Sequence, residues 1–495
     1  MEKKKPNLLF FVPDTYRADA LHHLGNPAAV TPNFDRLITE DAVSFENAFC
    51  QNPFCTPSRC SFFSGWYPHV NGHRTLTNMM ESYEPVLLET LKSEGYHVWW
   101  GGKDDLIPGE NSLEPYCDTR HYGGGPNVKN FHRDQFWRSA PGSRDYYSFY
   151  VGKTEATHKG VFYDSDWDVI FAAVDFIKNY KGDKPICMFF ALGYPHPPYG
   201  VEDPWYSMID RSKVTEPVPR PSDWSKSKLP SMMKGISEKQ NLYDYTADEW
   251  RELRAVYLGM CARLDHQFGM LRQALEDTKI YDDTAVFIFS DHGDFTGDYG
   301  LVEKTQNTFQ DCLTRVPMII KPPKSFDVKP GISPALIELI DFVPTVCEYA
   351  GIELDYDHFG MSLQDCVAGK NIHRDAVFSE GGRRHGETQC MELQDSLLIQ
   401  PDSLYWPKIA TQGSEGPEHT KAVMCRTHEY KYVYRLYEDD EFYDLKADPG
   451  ESVNLIDEPA MQPLITEMRN RTLRFMVETC DTVPRKENRR FREAR

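Results

Sequence analysis

Short apolar runs rich in β-branched and aromatic residues recur at positions 8–12, 97–100, 187–192, 285–289 and 316–320, with helix-period segments between them. This alternation constrains the fold more than any other feature. A run with no polar alternation suits a strand covered on both faces. Helices are predicted at 31–38, 167–180, 247–275 and 335–349. The first opens with Thr31-Pro32, a capping residue followed by proline at the first helical position. Strands alternating with helices predict an α/β fold: a large, mostly parallel sheet flanked by helices, with ligands gathered at the carboxyl ends of its strands. From about His373 the pattern changes to short strand-like pieces at 421–425, 430–436 and 442–445, then a helix at 462–479. The expected division is an α/β domain over residues 1–370 and a C-terminal α+β subdomain over 371–495, with a small antiparallel sheet and the final helix. Segments 120–130 and 411–418 read as loops.

A chain of 495 residues can bury an extended core without covalent staples. The twelve cysteines are scattered, with no C-x-x-C pair, so they read as buried thiols rather than a disulfide framework. Cys50, Cys55 and Cys60, spaced by five, do not match a zinc pattern. Asp and Glu outnumber Lys and Arg by 75 to 55, a net charge of −20, which argues against nucleic acid or an anionic membrane as partner. A small anionic substrate would need a local basic pocket. The start, Met1-Glu2-Lys3-Lys4-Lys5-Pro6, leads into an apolar run too short for a signal sequence, and no later stretch approaches the roughly 20 apolar residues of a membrane span. A cytoplasmic, soluble protein is expected.

Two strand ends carry acids. The first strand leaves through Val12-Pro13-Asp14-Thr15, and the run at 285–289 ends in Ser290-Asp291-His292-Gly293-Asp294. In a parallel sheet both ends face one crevice, so Asp14, Asp291 and His292 can converge on one divalent cation. Oxygen ligands favour calcium, magnesium or manganese, and the imidazole leaves zinc or manganese open. Singly, each has an ordinary reading, as a helix-capping Asp or an Asp-His-Gly turn.

The segment Pro53-Phe54-Cys55-Thr56-Pro57-Ser58-Arg59-Cys60, running on to Gly65, changes the weighting. It resembles the C-x-P-S-R signature of the sulfatases, whose cysteine is oxidised to formylglycine. Further landmarks similar to that family follow in order: Gly102-Lys103, Pro195-His196-Pro197-Pro198, Ser290-Asp291-His292-Gly293, Gly300-Leu301-Val302-Glu303-Lys304, and Phe442-Tyr443-Asp444-Leu445 with Asn454-Leu455. The resemblance implies an alkaline phosphatase-like fold and hydrolysis of a small sulfated substrate to inorganic sulfate and an alcohol. It implies formylglycine at Cys55 as nucleophile, made by a separate maturation enzyme, and one divalent metal held by Asp14, Cys55, Asp291 and His292. Calcium is the expected ion, with manganese, magnesium or zinc as alternatives. Arg59, Lys103 and Lys304 would supply positive charge, and His196 or Lys304 would serve the leaving oxygen.

Two positions depart from the pattern. Thr15 stands where a second carboxylate is common, leaving it as a further possible ligand, and Gly102-Lys103-Asp104-Asp105 lacks the family's histidine. Asn78 resembles a residue of the related phosphonate monoester hydrolases and joins the catalytic candidates; His73 and Asp105 stay open. The competing readings are therefore a hydrolase of phosphonate monoesters or phosphodiesters, and a non-catalytic binder with unmodified Cys55. Arg17 and Asp19 are expected to form a structural pair. The loop at 116–150 and Gly381-Gly382-Arg383-Arg384-His385 are expected at the crevice mouth, where the arginines could hold an acidic substrate group or pair with Glu380 or Glu387. Whether the substrate is a sugar, steroid, aryl or choline sulfate has no signature in these motifs, nor has the oligomeric state.

Overall fold

The computed structural model describes residues 5–132, 137–392 and 400–485. Residues 1–4 of the charged start and 133–136 of the 116–150 loop lie outside them. In chain order the strands are β1 (Asn7–Pro13), β2 (Val43–Phe49), β3 (His97–Gly102), β4 (Thr119–His121), β5 (Tyr150–Thr154), β6 (Ile186–Leu192), β7 (Tyr199–Glu202), β8 (Thr284–Phe289), β9 (Arg315–Val316), β10 (Met318–Lys321), β11 (Gly331–Glu338), β12 (Val377–Gly381), β13 (Ala422–Arg426), β14 (Tyr430–Arg435) and β15 (Glu441–Asp444).

Four of the five apolar runs lie side by side and parallel in the middle of a nine-stranded sheet of order β11-β2-β10-β8-β1-β6-β3-β4, with β9 against β2. β1 is central, and its side chains divide between two layers. Leu9 and Phe11 pack with the helices Pro32–Glu40, Ser165–Asn179 and Ala247–Asp277, whereas Leu8, Phe10 and Val12 pack with Cys55–Ser64, Leu87–Ser93 and Phe342–Ala350. All five are fully buried, each contributing about 1.5–3 kcal/mol of transfer free energy. The long helix Ala247–Asp277 starts at a capping box in which Thr246 and Glu249 satisfy each other's backbone N–H groups.

Two expectations need correction. The run at 316–320 is not one parallel strand. It divides at Pro317, which has no N–H to give a ladder, and β10 runs antiparallel to both β8 and β2. The helix expected at 335–349 is strand first: β11 carries the apolar run to Glu338, and the α-helix begins at Phe342.

Beyond Val377 a four-stranded antiparallel sheet, β12-β13-β14-β15, is covered by the helix Gln462–Thr479 through Ile465 and Met468. Phe475 stacks on Phe378 at 3.9 Å. Largely enclosed ion pairs tie this C-terminal part to the larger one: Arg374, just before β12, reaches Asp341 and, at 3.3 Å, Glu338, while Asp311 takes Arg426 at 2.9 Å and Lys431 at 2.7 Å. Among the described residues no helix is long and apolar enough to cross a membrane.

Candidate active site

The chain leaves β1, β8, β3 and β6 at one edge of the sheet, and each exit delivers a polar group to the same place. Asp14 follows β1, with its N–H donating to Tyr194 O at 3.1 Å. Asp291 and His292 follow β8. Cys55 is the first residue of the helix Cys55–Ser64, which is anchored to the β8 exit by Ser58 Oγ donating to Asp291 O at 2.6 Å. Ligand atoms of Asp14, Cys55, Asp291 and His292 all lie within 4.8 Å of one another. Cys55 Sγ is 3.2 Å from His292 Nε2 and 3.6 Å from Asp14 Oδ1.

Cations close around this cluster. Arg59, one helical turn after Cys55 and so on the same face, donates from Nη2 to Asp291 Oδ2 at 2.8 Å. Lys103 Nζ contacts Asp14 Oδ2 and pairs with Asp105 at 2.6 Å. Its place depends on Gly102, whose φ is +94° and where a Cβ would stand 1.9 Å from Ala191 O. Glycine alone lets the chain turn there, with Lys103 N–H donating to that carbonyl at 2.9 Å. On the other side, Lys304 Nζ donates to His196 Nε2 at 2.5 Å.

Burial works against the charge on Asp14, but Lys103, His196, His292 and Lys304 prevail and hold it well below the usual carboxylate range. Burial pulls His292 down against the pull of Asp291 and Asp14. Its Nδ1 lies 2.8 Å from Gly293 O, a contact that requires the proton on Nδ1 and leaves a lone pair on Nε2. His196 is likewise pulled well down, by burial and then by Lys304, and its Nδ1 faces Pro197 O at 2.5 Å. Lys304 is held well above the usual lysine value despite burial, by the carboxylates of Glu303 and Asp14. Burial and then Asp14 push the Cys55 thiol up, so as a plain thiol it is protonated at neutral pH and a poor nucleophile.

The donors fit a divalent cation: two carboxylates, one imidazole lone pair and a nearby buried hydroxyl. That hydroxyl is Thr15 Oγ1, which has no hydrogen-bond partner among the described residues, on a residue whose φ is +65°.

Asn78 is not brought to this cluster. Its Oδ1 accepts from Thr75 Oγ1 at 2.9 Å, and it lines a separate cavity with His73 and Glu84. His73, pushed up to about 11 by Cys60 and Glu84 against its burial, bonds Asn78 O and Glu84. Arg17 pairs with Asp19 at 2.6 Å and with Asp298 at 2.8 Å. Arg384 pairs with Glu387 at 2.6 Å, whereas Arg383 donates to the carbonyls of Gln412 and Ser414.

A cavity of about 590 Å³ opens from the cluster, lined by Cys55, Lys103, His196 and Lys304 and, further out, by Phe131, Tyr405 and Lys408. Tyr405 and Lys408 come from the C-terminal part of the chain and escape motif reading. Their one sequence signal is Trp406-Pro407, a helix start with proline in its first turn.

A mostly parallel sheet with acids, an imidazole and a thiol at the carboxyl ends of its parallel strands, ringed by cations, defines a hydrolase of anionic esters with the alkaline phosphatase-like architecture. The phosphonate monoester hydrolase of Agrobacterium radiobacter has the same fold, with a TM-score of 0.70 and 21% identity over 96% of each chain. The chain belongs to the sulfatase family, whose model matches residues 6–352. It is 25% identical to the multifunctional alkaline phosphatase superfamily protein PehA of Trinickia caryophylli, over 96% of each chain. To the choline-sulfatase of Rhizobium meliloti it is 26% identical, over 99% of this chain and 91% of the relative.

Proposed function

We propose that this chain hydrolyses a sulfate monoester to inorganic sulfate and an alcohol, using formylglycine made from Cys55 by a maturation enzyme. The observation that carries this reading is the position of Cys55 Sγ, within 4.8 Å of ligand atoms of Asp14, Asp291 and His292 and inside a ring of three cations. Sγ marks where the modified side chain would present its oxygen. The hydrated aldehyde supplies a hydroxyl nucleophile. A divalent cation, held by Asp14, Asp291 and His292 with Thr15 alongside, would acidify that hydroxyl and bind an ester oxygen, with calcium the expected ion.

The remaining tasks belong to the chain's own groups. Lys103 and Arg59 place fixed positive charge where the sulfuryl oxygens gain negative charge, each worth on the order of 3 kcal/mol in a dry site. Lys304 carries the proton for the leaving oxygen. With the His196 Nδ1 proton directed at Pro197 O, Nε2 is left to accept from the Lys304 ammonium, which has no acceptor of its own, so His196 orients the ammonium. As the hydroxyl of the hydrated formylglycine bonds to sulfur, the ester S–O bond breaks and its electron pair stays on the leaving oxygen and takes a proton from Lys304 Nζ; loss of the proton from the second hydroxyl then expels sulfate and restores the aldehyde. Asn78, outside the cluster, would act on this chemistry only through the loop it shares with His73.

Intact-peptide mass spectrometry tests the nucleophile: the peptide spanning Cys55 is expected about 18 Da lighter than the thiol form, and a wholly unmodified peptide from the native host would favour a non-catalytic binder. Cys55→Ala is expected to abolish turnover with an unchanged melting curve. A second reading, hydrolysis of phosphonate monoesters or phosphodiesters, is favoured by Asp105 standing where the family has its histidine. Parallel assays with aryl sulfate, phenyl phosphonate and a phosphate diester separate the two, and a tenfold preference for a phosphorus ester would reverse the order.

A further inference from the structure

Glu303 lies beside Lys304 in a motif segment and Lys408 lies outside every motif; neither has been given a role in catalysis above, yet both adjoin the proton donor. Glu303 is 4% exposed and Lys408 5%. The two carboxylate oxygens of Glu303 are divided between two ammonium groups: Oε1 lies 2.8 Å from Lys304 Nζ and Oε2 2.7 Å from Lys408 Nζ. Lys408 arrives on the helix Trp406–Gln412. Its Nζ sits 4.5 Å from the ring centroid of Phe54, the residue preceding the helix of Cys55, and 5.2 Å from that of Tyr405. The row His196, Lys304, Glu303, Lys408 runs along one wall of the active-site cavity.

We infer that Lys408 is a positioning residue for leaving-group departure, acting through Glu303 on Lys304; the inference rests on the reading of Lys304 as proton donor. Geometry and charge supply the reason. A buried carboxylate facing one lysine would draw the whole ammonium onto itself and neutralise it, turning its N–H groups away from substrate. Shared between two lysines, Glu303 fixes Lys304 while cancelling only part of its charge. One N–H then remains for the leaving oxygen, whose proton comes from Lys304 Nζ as the S–O electron pair moves onto it. The two aromatic rings hold the Lys408 ammonium in place without competing for Glu303.

The experiment compares kcat/KM of the mature enzyme on phenyl sulfates graded by the acidity of the phenol. Lys408→Met is expected to lose on the order of tenfold or more with the least acidic phenol and under about threefold with the most acidic. The loss is expected in kcat rather than KM, and Lys408→Arg, which can still share Glu303, is expected to restore the series. An equal loss across the series, or none, overturns the proposal. If Lys408→Met does not fold, Glu303→Gln carries the test, keeping the bridge's shape and deleting its charge. The same steepening is required there, and a flat profile overturns the proposal. Failure of the wild type on every sulfate in the series would instead overturn the functional reading itself.

Discussion

Arg374 shows how much a single half-buried side chain supports in this chain. It contacts Asp341 and pairs with Glu338, and both acids are fully buried. Burial alone would raise Asp341, but Arg374 and His373 hold it well below the usual carboxylate range. Its unfolded value is about 3.9, so its contribution to stability is complete above that pH and is lost as pH falls toward the folded value. Arg374→Met strands two buried acids and is expected to cost about 3–5 kcal/mol by urea unfolding at neutral pH. It is also expected to move acid unfolding to higher pH, and an unmoved acid midpoint would contradict this account. Residues of this kind are poorly legible in a sequence, because their importance arises from partners brought together only by folding. Cys55 and Arg59 are legible because a helical turn carries both, so spacing and chemistry appear in one short string. Glu303 lies inside a legible segment, but its bond to Lys408 spans 105 residues and leaves no local trace.

At the scale of elements, the strands that position the site were readable because each is an unbroken apolar run. β2 was not, since its sequence VSFENAF mixes polar residues into a strand whose pairing partners are β9, β10 and β11. Segment 335–349 misleads for a related reason: an apolar stretch continues unchanged from strand into helix, and periodicity does not mark the change at Leu339. Turns between elements give sharper tests. At Gly65, which ends the Cys55 helix with φ of +75°, a Cβ would meet His358 Cβ at 3.0 Å. Gly65→Ala is expected to cost about 1–2 kcal/mol by thermal unfolding. Gly102→Ala meets backbone rather than a side chain, leaving no room for accommodation. A loss of about 2–4 kcal/mol is expected, with kcat/KM reduced on the order of 100-fold as Lys103 is displaced.

For the molecule as a whole, alternation of strand and helix predicts the layers but not the order of strands across the sheet, which depends on contacts between distant segments. The division near residue 371 remains a proposal about independence rather than position, since the C-terminal part lends Tyr405 and Lys408 to the active-site cavity. Largely enclosed ion pairs from Asp341 to Arg374 and from Asp311 to Arg426 cross between the two parts of the chain. Such interlocking predicts one cooperative unfolding transition, with far-ultraviolet circular dichroism and tryptophan fluorescence giving coincident curves. Two separated transitions would show that the parts are held together less firmly than these pairs imply.

All ten residues of the helix Cys55–Ser64 are buried, and Cys55 itself is 3% exposed. If a second protein converts Cys55, as proposed, the burial of its whole helix requires that change to come before the molecule shuts around it. The pieces that shut it, from Asp291 onward, leave the ribosome more than 200 residues after the cysteine does. At about 5–20 residues per second that interval is on the order of 10–50 s. The chemical fate of every copy would then be decided during its own synthesis, and a chain released with the thiol intact would stay that way.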